Sequence, residues 1–102
     1  MYRATSPTFT LTFDVDPDAT FKSILITFKQ NKKIILEKKK TDLSFGQENT
    51  ASFTLTQEET NLFDATKYVS IQVRAMTVDD EAVAFKIIRT TVFDVLNDMV
   101  LT

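Results

Sequence analysis

Asp14, Asp16 and Asp18 stand at i, i+2 and i+4, the spacing with which a calcium loop begins, where alternate carboxylates converge on one cation. The rest of such a loop does not follow. Ala19 occupies the place where the sharp turn wants glycine, and Leu25 the place where a bidentate glutamate would close the shell. A looser calcium site at a strand end, with Asp16 and Asp18 joined by Asp79 or Asp80 from another loop, competes with the simpler reading of solvated turns. The other carboxylate pair, Glu58 and Glu59, sits in LTQEETNLF, where Thr56 followed three residues later by Glu59 makes a capping box and predicts a turn or two of helix from Gln57. Capping, not ligand binding, is the expected work of that pair.

What the chain lacks narrows its chemistry. Among its 102 residues there is no histidine and no cysteine, so imidazole bases, thiol nucleophiles and Cys/His zinc sites are all excluded. A single glycine, Gly46, cannot build a phosphate-cradling loop or a dinucleotide fingerprint. Glycosidase-type carboxylate chemistry is the one enzymatic route left, and it needs two acids facing each other across a shaped cleft for which the sequence offers no sign. We therefore expect a protein that is not an enzyme, with no catalytic residue, no resident metal and no cofactor.

The elements that would position any site alternate with period 2. Phe9, Leu11, Phe13 and Val15 share one face of a strand from Thr8 to Val15, which Asp16, Pro17 and Asp18 break. A second strand runs from Phe21 to Lys29 with Ile24, Ile26 and Phe28 on one face. Asn31 and Lys32 make a tight hairpin turn into Lys33 to Lys40, where Ile34 and Leu36 are expected inward. After a polar loop from Thr41 to Thr50, alternation resumes at Ala51, Phe53 and Leu55. Beyond the helical turn, which Leu62 and Phe63 should close against the core, the clearest strand is Tyr68 to Thr77. Val69, Ile71, Val73 and Ala75 form one of its faces. A turn at Val78 to Glu81 leads into Val83, Phe85 and Ile87, and at Ile87 and Ile88 the apolar parity slips by one, predicting a bulge or bend before Thr91 to Val95. For Val92 to Leu101 a strand is preferred to a helix.

The fold expected is all-β, a single antiparallel β-sandwich domain over residues 1–102 with immunoglobulin-like topology, six or seven strands and one short helical crossover between sheets. A small barrel is the alternative. An apolar share of 43 % and a charged share of 25 % fit an ordinary globular domain. With no signal-peptide h-region and no apolar run near the roughly 18 residues that span a bilayer, a cytoplasmic location during expression is expected, and no membrane partner.

Three surfaces are candidates for contact. Lys38, Lys39 and Lys40, with Lys29, Lys32 and Lys33, make one hairpin strongly basic on a chain of net charge -2. Such lysines guard a sheet edge or meet an acidic neighbour, Asp79, Asp80 and Glu81 of a second copy being one source. Nucleic acid is not expected, because arginines and interleaved aromatics are missing from the hairpin. Tyr68, Gln72, Arg74 and Met76 form a strand face of interface-like composition. Met99, Val100 and Leu101 are apolar at the chain end, and should dock on the sandwich or on another subunit.

The runs FKSILITFKQNKKIILEKK and SFTLTQEETNLFDATKYVSIQVRAMTVDDEAVAFKIIRTTVFDVL resemble small uncharacterised proteins encoded among virion genes of phages and prophages of Gram-positive bacteria, through their ITFKQ strand, LTQEET crossover and IQVR strand. That resemblance spans about Phe9 to Leu101. It implies an immunoglobulin-like structural or tail-associated virion protein that works through protein contacts, homo-oligomers included. A ligand-binding module for carbohydrate or calcium is the alternative. Sugar platforms need exposed Trp or Tyr, however, and the chain has no Trp, two Tyr and nine Phe mostly at core parity.

Overall fold

The computed structural model describes residues 1–85, 88–93 and 99–101. Its elements, in chain order, are β1 (Thr8–Thr12), α1 (Pro17–Thr20), β2 (Phe21–Gln30), β3 (Lys33–Lys39), β4 (Ser44–Phe45), β5 (Thr50–Thr54), α2 (Gln57–Thr60), β6 (Tyr68–Thr77), β7 (Ala82–Ala84) and β8 (Ile88–Thr91). They form two antiparallel sheets packed together, as the alternation implied: a small one ordered β1-β5-β4, and a larger one ordered β3-β2-β6-β7 in which β8 also pairs with β6. The described strands number eight, beyond the six or seven expected.

The extra strands have specific causes. β4 is a two-residue pairing of Ser44 and Phe45 with Ser52 and Ala51, too short to leave a periodic trace in the 41–50 loop. β7 and β8 are one interrupted edge. Both lie against β6, but the register moves by one residue between Arg74↔Ala84 and Ile71↔Ile88, as the parity slip at Ile88 led us to expect. Ile87 itself lies outside the described residues. The ladder with β6 ends at Thr91, and among the described residues of the expected C-terminal strand only Phe93 pairs, in a parallel bridge to Tyr2; residues 94–98 lie outside the described residues.

Local chemistry explains the helices. Thr56 Oγ1 accepts from Glu59 N at 3.1 Å while Glu59 Oε1 accepts from Thr56 N at 2.9 Å, the reciprocal box that starts α2. It carries the chain from β5 of the small sheet to β6 of the large one. A second helical turn, α1, was not expected: Asp16 is its N-cap, accepting from Asp18 N and Ala19 N, and Pro17 takes the first helical position, where its missing N–H costs nothing. The Asp-Pro pair that reads as a strand breaker is thus also a helix starter. β1 accordingly stops at Thr12, and Val15 is exposed instead of continuing the strand's inner face.

Two further inward assignments fail, those of Ile34 and Leu62. Between β2 and β3 the register shifts at Phe28/Lys29, Phe28 opposing Leu36 and Lys29 opposing Ile34, so Ile35 is the additional residue of a bulge. Leu36 and Ile35 pack on the core, whereas Ile34 is 58 % exposed. The two-residue turn before it does form, with Asn31 and Lys32 both at positive φ (53° and 64°), as a type I′ hairpin requires. Leu62 and Phe63 also divide: Phe63 is 1 % exposed and Leu62 55 %.

The core lies between the sheets. Ile24, Ile26 and Phe28 of β2, Val69, Ile71, Val73 and Ala75 of β6, and Ala51, Phe53 and Leu55 at β5 supply most of it. Phe28 is the aromatic centre, edge-on to Phe9 and Phe53 at 5.8 and 6.0 Å and tilted against Phe63 at 5.8 Å. Gln30 is buried among these apolar groups with both polar atoms of its amide bonded, Nε2 donating to Asp64 O at 2.9 Å and Oε1 accepting from Asp64 N at 2.7 Å.

Candidate interaction face

In the larger sheet, the residues that do not point into the core define a second face. The pairing register brings Leu25 of β2 opposite Lys39 of β3 on one side and Arg74 of β6 on the other, with Ala84 of β7 beyond. One row along, Ser23, Met76 and Ala82 stand side by side. At this end the face is concave, a depression of about 450 Å³ with Leu25, Met76 and Ala82 as its apolar lining and Lys22, Lys39, Lys40 and Arg74 as its cations. Among the described residues no carboxylate lines it.

The four cations are held differently. Lys40 lies in a 3-10 turn after β3 and is anchored: its ammonium donates to the carbonyls of Asp18 and Phe21 at 3.0 and 2.7 Å, stands 3.3 Å from the Asp18 carboxylate and sits over the Phe45 ring. Lys22 pairs with Asp80 of the β6–β7 turn. Asp80, one of the three acidic residues named as a possible source of charge for a second copy's lysines, is therefore engaged by its own chain. The side chains of Lys39 and Arg74 have no ion-pair partner among the described residues.

Lys38 does not belong to this face. Its parity on β3 is that of Leu36, so its side chain turns inward, where Glu59 Oε2 accepts from its ammonium at 2.8 Å with both side chains largely covered. Burial by itself raises the Glu59 carboxyl, but the hydrogen bond and charge of Lys38 and the N–H of Thr56 outweigh it and leave Glu59 below its ordinary value of 4.5. The lysine cluster of the sequence is thus split by strand alternation. β3 is an edge strand, and Lys33 and Lys39 remain exposed on it, where edge-guarding lysines belong.

Tyr68 and Gln72 share the outer face with Arg74 and Met76, further along β6, opposite Thr91 and Thr27 respectively. Tyr68 is 69 % exposed. The C-terminal residues lie elsewhere: Leu101 N donates to Gln57 Oε1 at 2.6 Å and Gln57 Nε2 donates to Leu101 O at 3.0 Å, which ties the tail's backbone to the start of α2. Its apolar side chains are not thereby buried, since Met99 and Leu101 are exposed and Val100 half-buried. The ten candidate residues therefore fall into two groups, one on the outer face and one at α2.

Lys22, Leu25 and Ala82 were not singled out from the sequence. Leu25 carried a signal, an aliphatic on the polar-parity face of β2, but its neighbours depend on two cross-strand registers. As for metals, Asp16 is spent as an N-cap, Asp18 faces Lys40 and Asp80 faces Lys22, and among the described residues no cluster of three or more acidic side chains could hold a cation. No described helix is long and apolar enough to cross a membrane. Neither a family description, nor a curated protein, nor a solved structure matches the chain.

Proposed function

We propose that this is a non-enzymatic assembly protein of the phage or prophage virion type that its sequence resembles, an immunoglobulin-like sandwich working through protein contacts made by the outer face of its larger sheet. The observation that carries the reading is that face itself: Tyr68, Gln72, Arg74 and Met76 stand in one row on the central strand β6, in a sheet whose other side supplies the core, and no described element covers them. Tyr and Arg are the residue types that concentrate binding energy at protein interfaces. The immunoglobulin-like assignment draws on sheet membership. β1-β5-β4 follows the order B-E-D, and β3-β2-β6 with β7 and β8 follows C′-C-F-G.

A carbohydrate-binding reading has two observations in its favour, the exposed Tyr68 ring and the exposed Tyr2 ring beside Phe93 at 5.1 Å, but among the described residues no second ring is paired with Tyr68, and Tyr2 and Phe93 are tilted against each other by 32° instead of forming one flat platform. The test is photo-crosslinking from p-benzoylphenylalanine placed at position 68 or 72 in cells expressing the chain. Covalent products with a second polypeptide, another copy or a different protein, are the expected result. Adducts absent from both positions, while the same probe at Leu62 behaves no differently, overturn the reading.

A further inference from the structure

We infer that the basic depression of the outer face takes an acidic protein segment, its carboxylates held by Lys39 and Arg74 and an aliphatic side chain between them seated on Leu25. This rests on the reading of the outer face as a contact face and names the chemistry of what it contacts. The charge balance is local. Among the described residues four cations and no carboxylate line the depression; of the four, the ammonium groups of Lys22 and Lys40 already stand beside carboxylates, whereas the side chains of Lys39 and Arg74 pair with none, the Asp42 carboxylate being taken up by the backbone N–H of Lys39 at 2.9 Å. Those two flank Leu25 directly, on the neighbouring strands to either side. Two strand spacings, roughly 10 Å, separate their backbones, and their long stems extend that reach.

An extended peptide repeats its side chains on one side every 7 Å or so. A Glu-x-Leu-x-Glu pattern therefore brings an aliphatic group over Leu25 with a carboxylate on each side. Arg74 offers a carboxylate two parallel N–H donors, and Lys39 a mobile point charge. Leu25 and Met76 are half-buried in the sheet surface, so covering them removes apolar area from water without ordering new protein side chains. A nucleic acid would use the cations but not the lining, because among the described residues no aromatic ring lines the depression for a base to stack on.

The experiment is an amide chemical-shift titration of the isotope-labelled chain with a capped Glu-Ser-Leu-Ser-Glu peptide, its Gln-Ser-Leu-Ser-Gln counterpart and a thymidine oligonucleotide. Shifts gathered at Leu25, Lys39, Arg74, Met76 and Ala82 are expected with the acidic peptide alone, weakening as salt is raised. Arg74→Gln and Lys39→Gln should each weaken binding by about tenfold. Both side chains are exposed, so the fold is not at stake, and Lys33→Gln on the same hairpin should change nothing. No shifts, equal shifts from the neutral peptide, or tighter binding of the oligonucleotide would overturn the inference. Crosslinks from positions 68 and 72 without a peptide response would remove the acidic partner and leave the contact face standing; a peptide response without crosslinks would keep the acidic partner, confine the contact to the depression and overturn the part given to Tyr68 and Gln72.

Discussion

Lys38 and Glu59 meet at 2.8 Å across the gap between the edge strand β3 and the helical crossover α2. The pair ties an element of the large sheet to the connection from the small one, and Glu59 serves at once as ion partner and as capping residue. Glu59→Gln leaves the Lys38 ammonium with a neutral partner and weakens the box, at a cost of about 1–3 kcal/mol in chemical denaturation. The pH dependence follows from the lowered carboxyl. A folded-state value below the unfolded one adds stability that is present above pH 4.5 and is lost as pH falls through the folded value. The deficit of the Gln variant should therefore shrink on acidification below pH 4.5, and a constant deficit would show that the charge of Glu59 is not what the fold uses.

Gln30 makes a two-way bond with the backbone of Asp64 from inside the core. Gln30→Leu keeps the volume but strands both backbone groups, and about 2 kcal/mol of stability should be lost. Gln30→Glu, which still accepts but no longer donates, should lose at least as much at neutral pH. Urea midpoints measure both.

Phe28 is fully buried and touches three other rings. Phe28→Ala should cost about 3–5 kcal/mol, and Phe28→Leu clearly less. A protein of this size has about 5–15 kcal/mol to spare, so the Ala variant is expected to show a large drop in its urea midpoint followed by circular dichroism.

The tail offers a prediction about mass. Met99 and Leu101 are exposed although the tail's backbone is bonded to Gln57. Light scattering on a size-exclusion column should give an oligomer for the full chain and a monomer for a version ending at Asn97. If both versions are monomers at low and high salt, the tail is not part of a contact between copies.

Much of the fold was legible because strand alternation was clean. Tyr68 to Thr77 emerges with the bounds and both faces that its apolar and polar residues imply, and Thr56 with Glu59 announces α2. What alternation cannot carry is a residue that breaks it silently. Ile34, Ile35 and Leu36 are equally apolar, so the bulge that sends Ile34 outward leaves no mark in composition. Asp16 and Pro17 serve turns and helix starts alike. The candidate face was legible by halves: Tyr68, Gln72, Arg74 and Met76 follow from one strand's parity, and Lys38 could have been removed from the lysine cluster by the same rule. That Lys39 and Arg74 stand on opposite sides of Leu25 needs β2 to be central between β3 and β6, a fact of topology that no local pattern holds.

The parallel bridge of Tyr2 to Phe93 also governs how the molecule bears load. Arg3 N donates to Phe93 O at 2.9 Å, Phe93 N to Met1 O at 2.7 Å and the Met1 amine to Thr91 O at 3.0 Å, joining segments about as far apart in sequence as the chain allows. Because the two segments run the same way, tension applied across residues 1 and 101 pulls them past each other and strains these bonds together, where an antiparallel pair would open one bond at a time. Under such tension the bridge acts as a shear clamp, and the sheets behind it stay unloaded until it gives way.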